Sequence, residues 1–62
     1  MMIETGNKFR IWWFGDDRAE DYVYELRVID TENKLWWVKN PTGKTFAINP
    51  LNPNIRYIIK EE

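Results

Sequence analysis

From Lys8 to Phe14 the chain alternates, with Phe9, Ile11 and Trp13 in one phase and Lys8, Arg10, Trp12 and Phe14 in the other. A period of two is that of a β-strand, whose successive side chains leave on opposite faces. Gly15 ends this first predicted strand, residues 8–14, and Asp16-Asp17-Arg18-Ala19-Glu20-Asp21 reads as a charged loop. A second strand is predicted over residues 22–31, with Tyr22, Tyr24, Leu26 and Val28 opposite Val23, Glu25, Arg27 and Ile29. The polar turn Thr31-Glu32-Asn33-Lys34 leads into a third strand, residues 35–40. In Pro41-Thr42-Gly43-Lys44 the proline presets φ and the glycine admits positive φ, so a tight turn precedes a fourth strand over 45–49.

The segment Asn49-Pro50-Leu51-Asn52-Pro53-Asn54 is no strand interior. Its prolines remove donors and bias the preceding residues away from helical angles, which predicts one short 3₁₀ turn. Residues 55–60 form the fifth predicted strand, with Ile55, Tyr57 and Ile59 opposite Arg56, Ile58 and Lys60. Nothing along the chain sustains a 3.6-residue apolar period, and repeats and linkers are lacking. Five short strands in 62 residues predict an all-β fold, one domain over residues 1–62, curled into a small barrel that limits exposed edges.

Two tryptophan pairs, Trp12-Trp13 and Trp36-Trp37, stand on predicted strands. The pleat sends one indole of each pair to the core and the other outward. A domain of this size buries only about 60% of its extended surface, so large rings left outside suggest a surface for a partner.

Composition removes most chemistry. The chain has no Cys, His or Ser, which excludes disulfide frameworks, thiol redox chemistry and Ser-His or Cys-His nucleophile pairs. The acidic run lacks the alternating ligands and central glycine of a calcium loop, so no metal, cofactor or catalytic group is assigned and no enzyme is expected. Nine Lys and Arg against ten Asp and Glu give a net charge of −1, without the basic excess of a general nucleic-acid binder. Residues 1–6 lack the apolar run of a signal peptide, and no stretch approaches the ~18 residues of a membrane span, so a cytoplasmic protein without membrane contact is expected.

From Leu26 onward the chain resembles the Src-homology-three (SH3-like) family. Leu26-Arg27-Val28-Ile29, the polar turn and Trp36-Trp37 resemble that family's second strand, connecting loop and tandem tryptophan. Thr42-Gly43-Lys44-Thr45 resembles its distal turn, and Phe46-Ala47-Ile48-Asn49-Pro50 the strand that leads to its proline and 3₁₀ turn. The resemblance covers roughly the last 35 residues. The first third departs from it: the Ala-Leu-Tyr-Asp-Tyr tract is missing, and Leu51 to Asn54 stand where a tyrosine would follow the proline. Proline-rich ligands dock between those tyrosines, so the resemblance implies the fold without that ligand.

By the same resemblance Trp36 is the outward indole, Pro50 is its neighbour, and Asp16, Asp17, Glu20 and Asp21 line the same side. Periodicity alone places Trp36 with Val38, and Trp37 with Leu35 and Lys39. With Trp12, these residues are the candidate partner-binding set of a protein-interaction module, an adaptor, a regulator or a phage-type inhibitor. The partner is a protein, a peptide or a second copy in a homodimer. The alternative is a nucleic-acid surface in which Lys8, Arg10, Arg27, Lys39, Arg56 and Lys60 interleave with stacking indoles.

Overall fold

Five antiparallel strands form where the period-two pattern predicts them. In the computed structural model, which describes residues 3–61, they are β1 (Lys8–Trp13), β2 (Tyr24–Asp30), β3 (Leu35–Lys39), β4 (Thr45–Ile48) and β5 (Ile55–Glu61). What the sequence suggests for Met1, Met2 and Glu62 lies outside the described residues. Among those residues no helix is long and apolar enough to cross a membrane.

The strands order as β4-β3-β2-β1-β5, and the sheet stays open between β4 and β5 instead of closing into the expected barrel. It is nevertheless strongly curled. The shortest extent of the molecule is 22 Å, whereas a flat one-layer sheet would be about 10 Å thick. The curl begins where β1 parts from β2. These strands pair only at Lys8↔Glu25 and Phe9↔Tyr24, while β1 pairs with β5 at six positions. Beyond Phe9 the charged loop takes over part of β2's role, with Glu20 N–H donating to the Ile11 carbonyl at 3.0 Å.

Phe9, Ile11, Leu26 and Val38 are fully buried inside the curl, and Trp13, Tyr24, Trp36, Phe46, Ile48, Ile55 and Ile58 pack around them. Two β-bulges decide what else joins this face. In β2 the register moves from Leu26↔Val38 to Val28↔Trp37, leaving Arg27 as the extra residue. The expected phase of β2 therefore fails after Leu26: Val28 turns outward and is 52% exposed, while Ile29 comes opposite inward-facing Trp36. In β5 the register moves from Trp12↔Tyr57 to Trp13↔Ile55, leaving Arg56 as the extra residue. That shift puts Ile55 and Ile58 inside and Tyr57 outside, where simple alternation groups Ile55 with Tyr57.

Between β4 and β5 the expected 3₁₀ turn takes the form of two successive β-turns. Asn52 N–H bonds the Asn49 carbonyl at 3.0 Å, and Ile55 N–H bonds the Asn52 carbonyl at 2.9 Å. Each opening asparagine also accepts from the backbone two residues on, Leu51 to Asn49 and Asn54 to Asn52, both at 2.9 Å. An Asn-Pro step suits this geometry because the side chain mimics a backbone acceptor and the proline presets the next φ.

With four fully buried side chains among the described residues, truncating one removes much of the stability of so small a domain, about 3–9 kcal/mol in total by size. Leu26→Ala is expected to cost about 2–5 kcal/mol in denaturant unfolding, against a few tenths for Leu51→Ala at the exposed turn. Equal effects at the two positions would contradict the core as described.

Candidate functional site

The outward side of the β1–β5 ladder carries an aromatic cluster. Trp12 and Tyr57 are direct cross-strand partners, and their rings meet edge to face at 5.7 Å. The Arg56 guanidinium lies over both, 5.2 Å from the Trp12 ring centre and 5.4 Å from that of Tyr57. The bulge makes this possible, because it sends Arg56 and Tyr57 to the same side of the strand. Phe14, tied to the adjoining turn by its N–H to the Asn54 carbonyl at 2.9 Å, continues this end of the ladder. Phe14 is 62% exposed and Tyr57 53%, so the cluster is open to solvent.

The acidic loop is fastened beside it by both indoles of the first pair. Trp12 Nε1 donates to the Asp16 carbonyl at 2.9 Å, and Trp13 Nε1 donates to Glu20 Oε2 at 3.1 Å. Within the loop, Arg18 grips Asp21 through two hydrogen bonds, at 2.8 and 3.1 Å. Those bonds, and then the guanidinium charge, hold the Asp21 carboxyl below its usual range. Asp16 and Asp17 stay exposed. Burial pushes the Tyr24 phenol well above its usual range, and the neighbouring Glu20 carboxylate adds to the effect.

The second tryptophan pair corrects the expectation drawn from resemblance. Trp36 turns inward, on the same face as Val38, with its ring edge-to-face on Phe9 at 5.8 Å. Trp37 is the outward member, 40% exposed, in a row with Val28 on β2 and Ala47 on β4. Alternation outweighs resemblance here because Val38 is fully buried and fixes the phase of β3. The expected neighbourhood of Trp36 and Pro50 does form. Both line a hollow of about 300 Å³ with Ile29, Leu35 and Leu51, and Leu51 is 77% exposed. The acidic loop does not line that hollow; Asp30 does, held in its ionised form by the side-chain amide and backbone N–H of Asn33.

The basic residues are interleaved with acids. Cross-strand register aligns Glu61, Lys8, Glu25 and Lys39 in one row over four adjacent strands. Arg27 lies 3.6 Å from Glu25, and Arg10 Nε lies 2.6 Å from Glu61 Oε1 in an ion pair whose angle is not that of a hydrogen bond. Lys8 and Lys39 thus alternate with Glu61 and Glu25, to which Arg10 and Arg27 are paired, and Arg56 stands apart on its rings. Sequence reasoning put Phe14 in the outer phase of the first strand without counting it in the candidate site, and left Tyr57 and Trp37 out as surface aromatics. The signal for Tyr57 lay in the bulge at Arg56, which no composition rule marks. Among the described residues no group of three or more acidic side chains is placed to hold a metal.

Comparison with protein-family models, with curated proteins and with solved structures returned no match.

Tyr24 gives a pH test of how the loop is anchored. Its folded-state value lies above the unfolded one near 10, so its contribution is complete below pH 10 and declines as the unfolded phenol ionises above it. Alkaline unfolding is expected to begin above about pH 10 in the parent, and Tyr24→Phe is expected to flatten that limb in a denaturant series. An unchanged alkaline slope in Tyr24→Phe would place the transition elsewhere.

Proposed function

We propose that the chain is a non-enzymatic protein-interaction module of SH3-like build, which binds a partner protein through the Trp12–Tyr57–Arg56 face beside the acidic loop. The observation that carries the reading is this cluster of Trp, Tyr and Arg, with Phe14, open to solvent on a rigid two-strand ladder. Those three residue types dominate the energetic centres of protein interfaces: Trp and Tyr bring much contact area at low conformational cost, and Arg brings a planar fork of donors. The five-stranded meander that returns its last strand to its first supports the SH3-like build. The Trp36–Pro50 hollow lies on another part of the molecule and offers a second apolar foothold for an extended partner.

The engagement of the carboxylates supports a binding role over catalysis. Asp21 is held by Arg18, Asp30 by Asn33 and Glu20 by Trp13, which leaves them as structural acceptors. The alternating charge row weighs against the nucleic-acid reading, since a polyanion meets Glu25 between the two lysines and Glu61 beside Lys8.

The test is partner capture from the native host with Tyr57→Ala and Phe14→Asp, both at outward positions. Recovery of the partner is expected to fall about tenfold or more in each. The circular-dichroism spectrum is retained, and Tyr57→Ala loses about 1 kcal/mol of stability with its ring pair. Undiminished recovery with both folded variants would overturn the assignment of this face.

A further inference from the structure

Four arginines occupy the chain, and three of them spend their charge inside it. Arg10 faces Glu61, Arg18 grips Asp21 with two bonds, and Arg27 faces Glu25. Arg56 alone has no carboxylate partner among the described residues; its contacts are the Trp12 and Tyr57 rings. Ring electrons balance the charge of a guanidinium without using its N–H donors, of which arginine has five in a planar fork. The cation is also positioned in advance. It projects from a β-bulge and rests over two rings, so less side-chain freedom is lost when a ligand is gripped.

We propose that Arg56 is the anchor for a carboxylate of the partner, a single Asp or Glu side chain flanked by apolar residues; this rests on the reading of the same face as the binding surface. The guanidinium fork fits a carboxylate with two parallel hydrogen bonds. Phosphate offers the same oxygens, but its usual source, a nucleic-acid backbone, presents a run of them. The loop at the edge of Trp12 carries Asp16 and Asp17, and the Trp12 indole is bonded to the Asp16 backbone. A backbone of successive phosphates crossing Arg56 therefore runs into negative charge, whereas one carboxylate flanked by apolar residues meets the rings.

The test uses the full chain labelled with nitrogen-15 and titrated with the peptide Ala-Leu-Glu-Leu-Ala blocked at both ends, which carries one carboxylate between apolar residues. A saturable shift is expected at Arg56 Nε–H and Trp12 Nε1–H, with none at Arg18 or Arg27. Arg56→Gln is expected to weaken it about fivefold or more, and Arg56→Lys to recover part of the loss, having the charge without the fork. Absence of a shift at Arg56, or equal binding by Arg56→Gln, overturns the proposal. Tighter binding of an eight-residue oligothymidylate at Arg56 also overturns it and assigns the site to phosphate. Partner capture separates this from the broader reading. Recovery lost in Tyr57→Ala but kept in Arg56→Gln leaves the binding face standing and removes the carboxylate anchor; recovery kept in both removes the two together.

Discussion

Where the pleat is unbroken a strand sends neighbouring side chains to opposite sides, and the placement of every tryptophan in this chain follows from that constraint. Ile11 and Val38 are fully buried, so Trp13 and Trp36, two positions away on their strands, face the core. Trp12 and Trp37 then face outward, where their surroundings differ. Trp12 is crossed by Arg56 and met by Tyr57, and Trp37 lies in an apolar row with Val28 and Ala47. One geometric rule thus yields both the inner support of the domain and its outward aromatic surfaces.

The inner rings are needed because so few side chains are fully buried. Phe9 touches Tyr24 at 5.6 Å and Trp36 at 5.8 Å, and Tyr24 in turn meets Phe46 at 6.1 Å, so aromatic edges extend a thin core towards the open side of the sheet. The indole N–H groups serve the loop: each tryptophan of the first pair donates to an acceptor between Asp16 and Glu20. The charged loop is thereby held against the strand that carries Trp12. This arrangement links core packing to surface chemistry, since the loop that gives the Trp12–Tyr57 face its acidic flank is fixed partly by an inward ring.

Much of the fold was legible in the sequence. The five strands fall within two residues of their predicted limits, because alternation, Gly15, Pro41 and the Asn-Pro steps are local signals. Closure was not legible: β4 and β5 remain apart, and nothing local reports whether distant edges meet. Phase was legible only up to each bulge. Val28 and Ile29 are both apolar and β-branched, as are Ile58 and Ile59, so the pattern reads equally well in either phase around Arg27 and Arg56. For the second pair the periodicity left the outward indole undecided and the family resemblance gave Trp36; Trp36 packs against the core and Trp37 is the exposed ring, while Trp36 and Pro50 line one hollow as the resemblance implied. The basic residues on outer faces were legible, but their acidic partners across the strands required the register.

The central claim is the division of each tryptophan pair by the pleat, and fluorine NMR of the chain labelled with 5-fluorotryptophan tests it most directly. Each resonance is assigned by replacing one tryptophan with phenylalanine, and a neutral water-soluble gadolinium chelate is then added. The account predicts that the Trp37 signal broadens at lower chelate concentration than the Trp36 signal. The opposite order would put Trp36 outside, reverse the phase of β3, and contradict the account from its core outward.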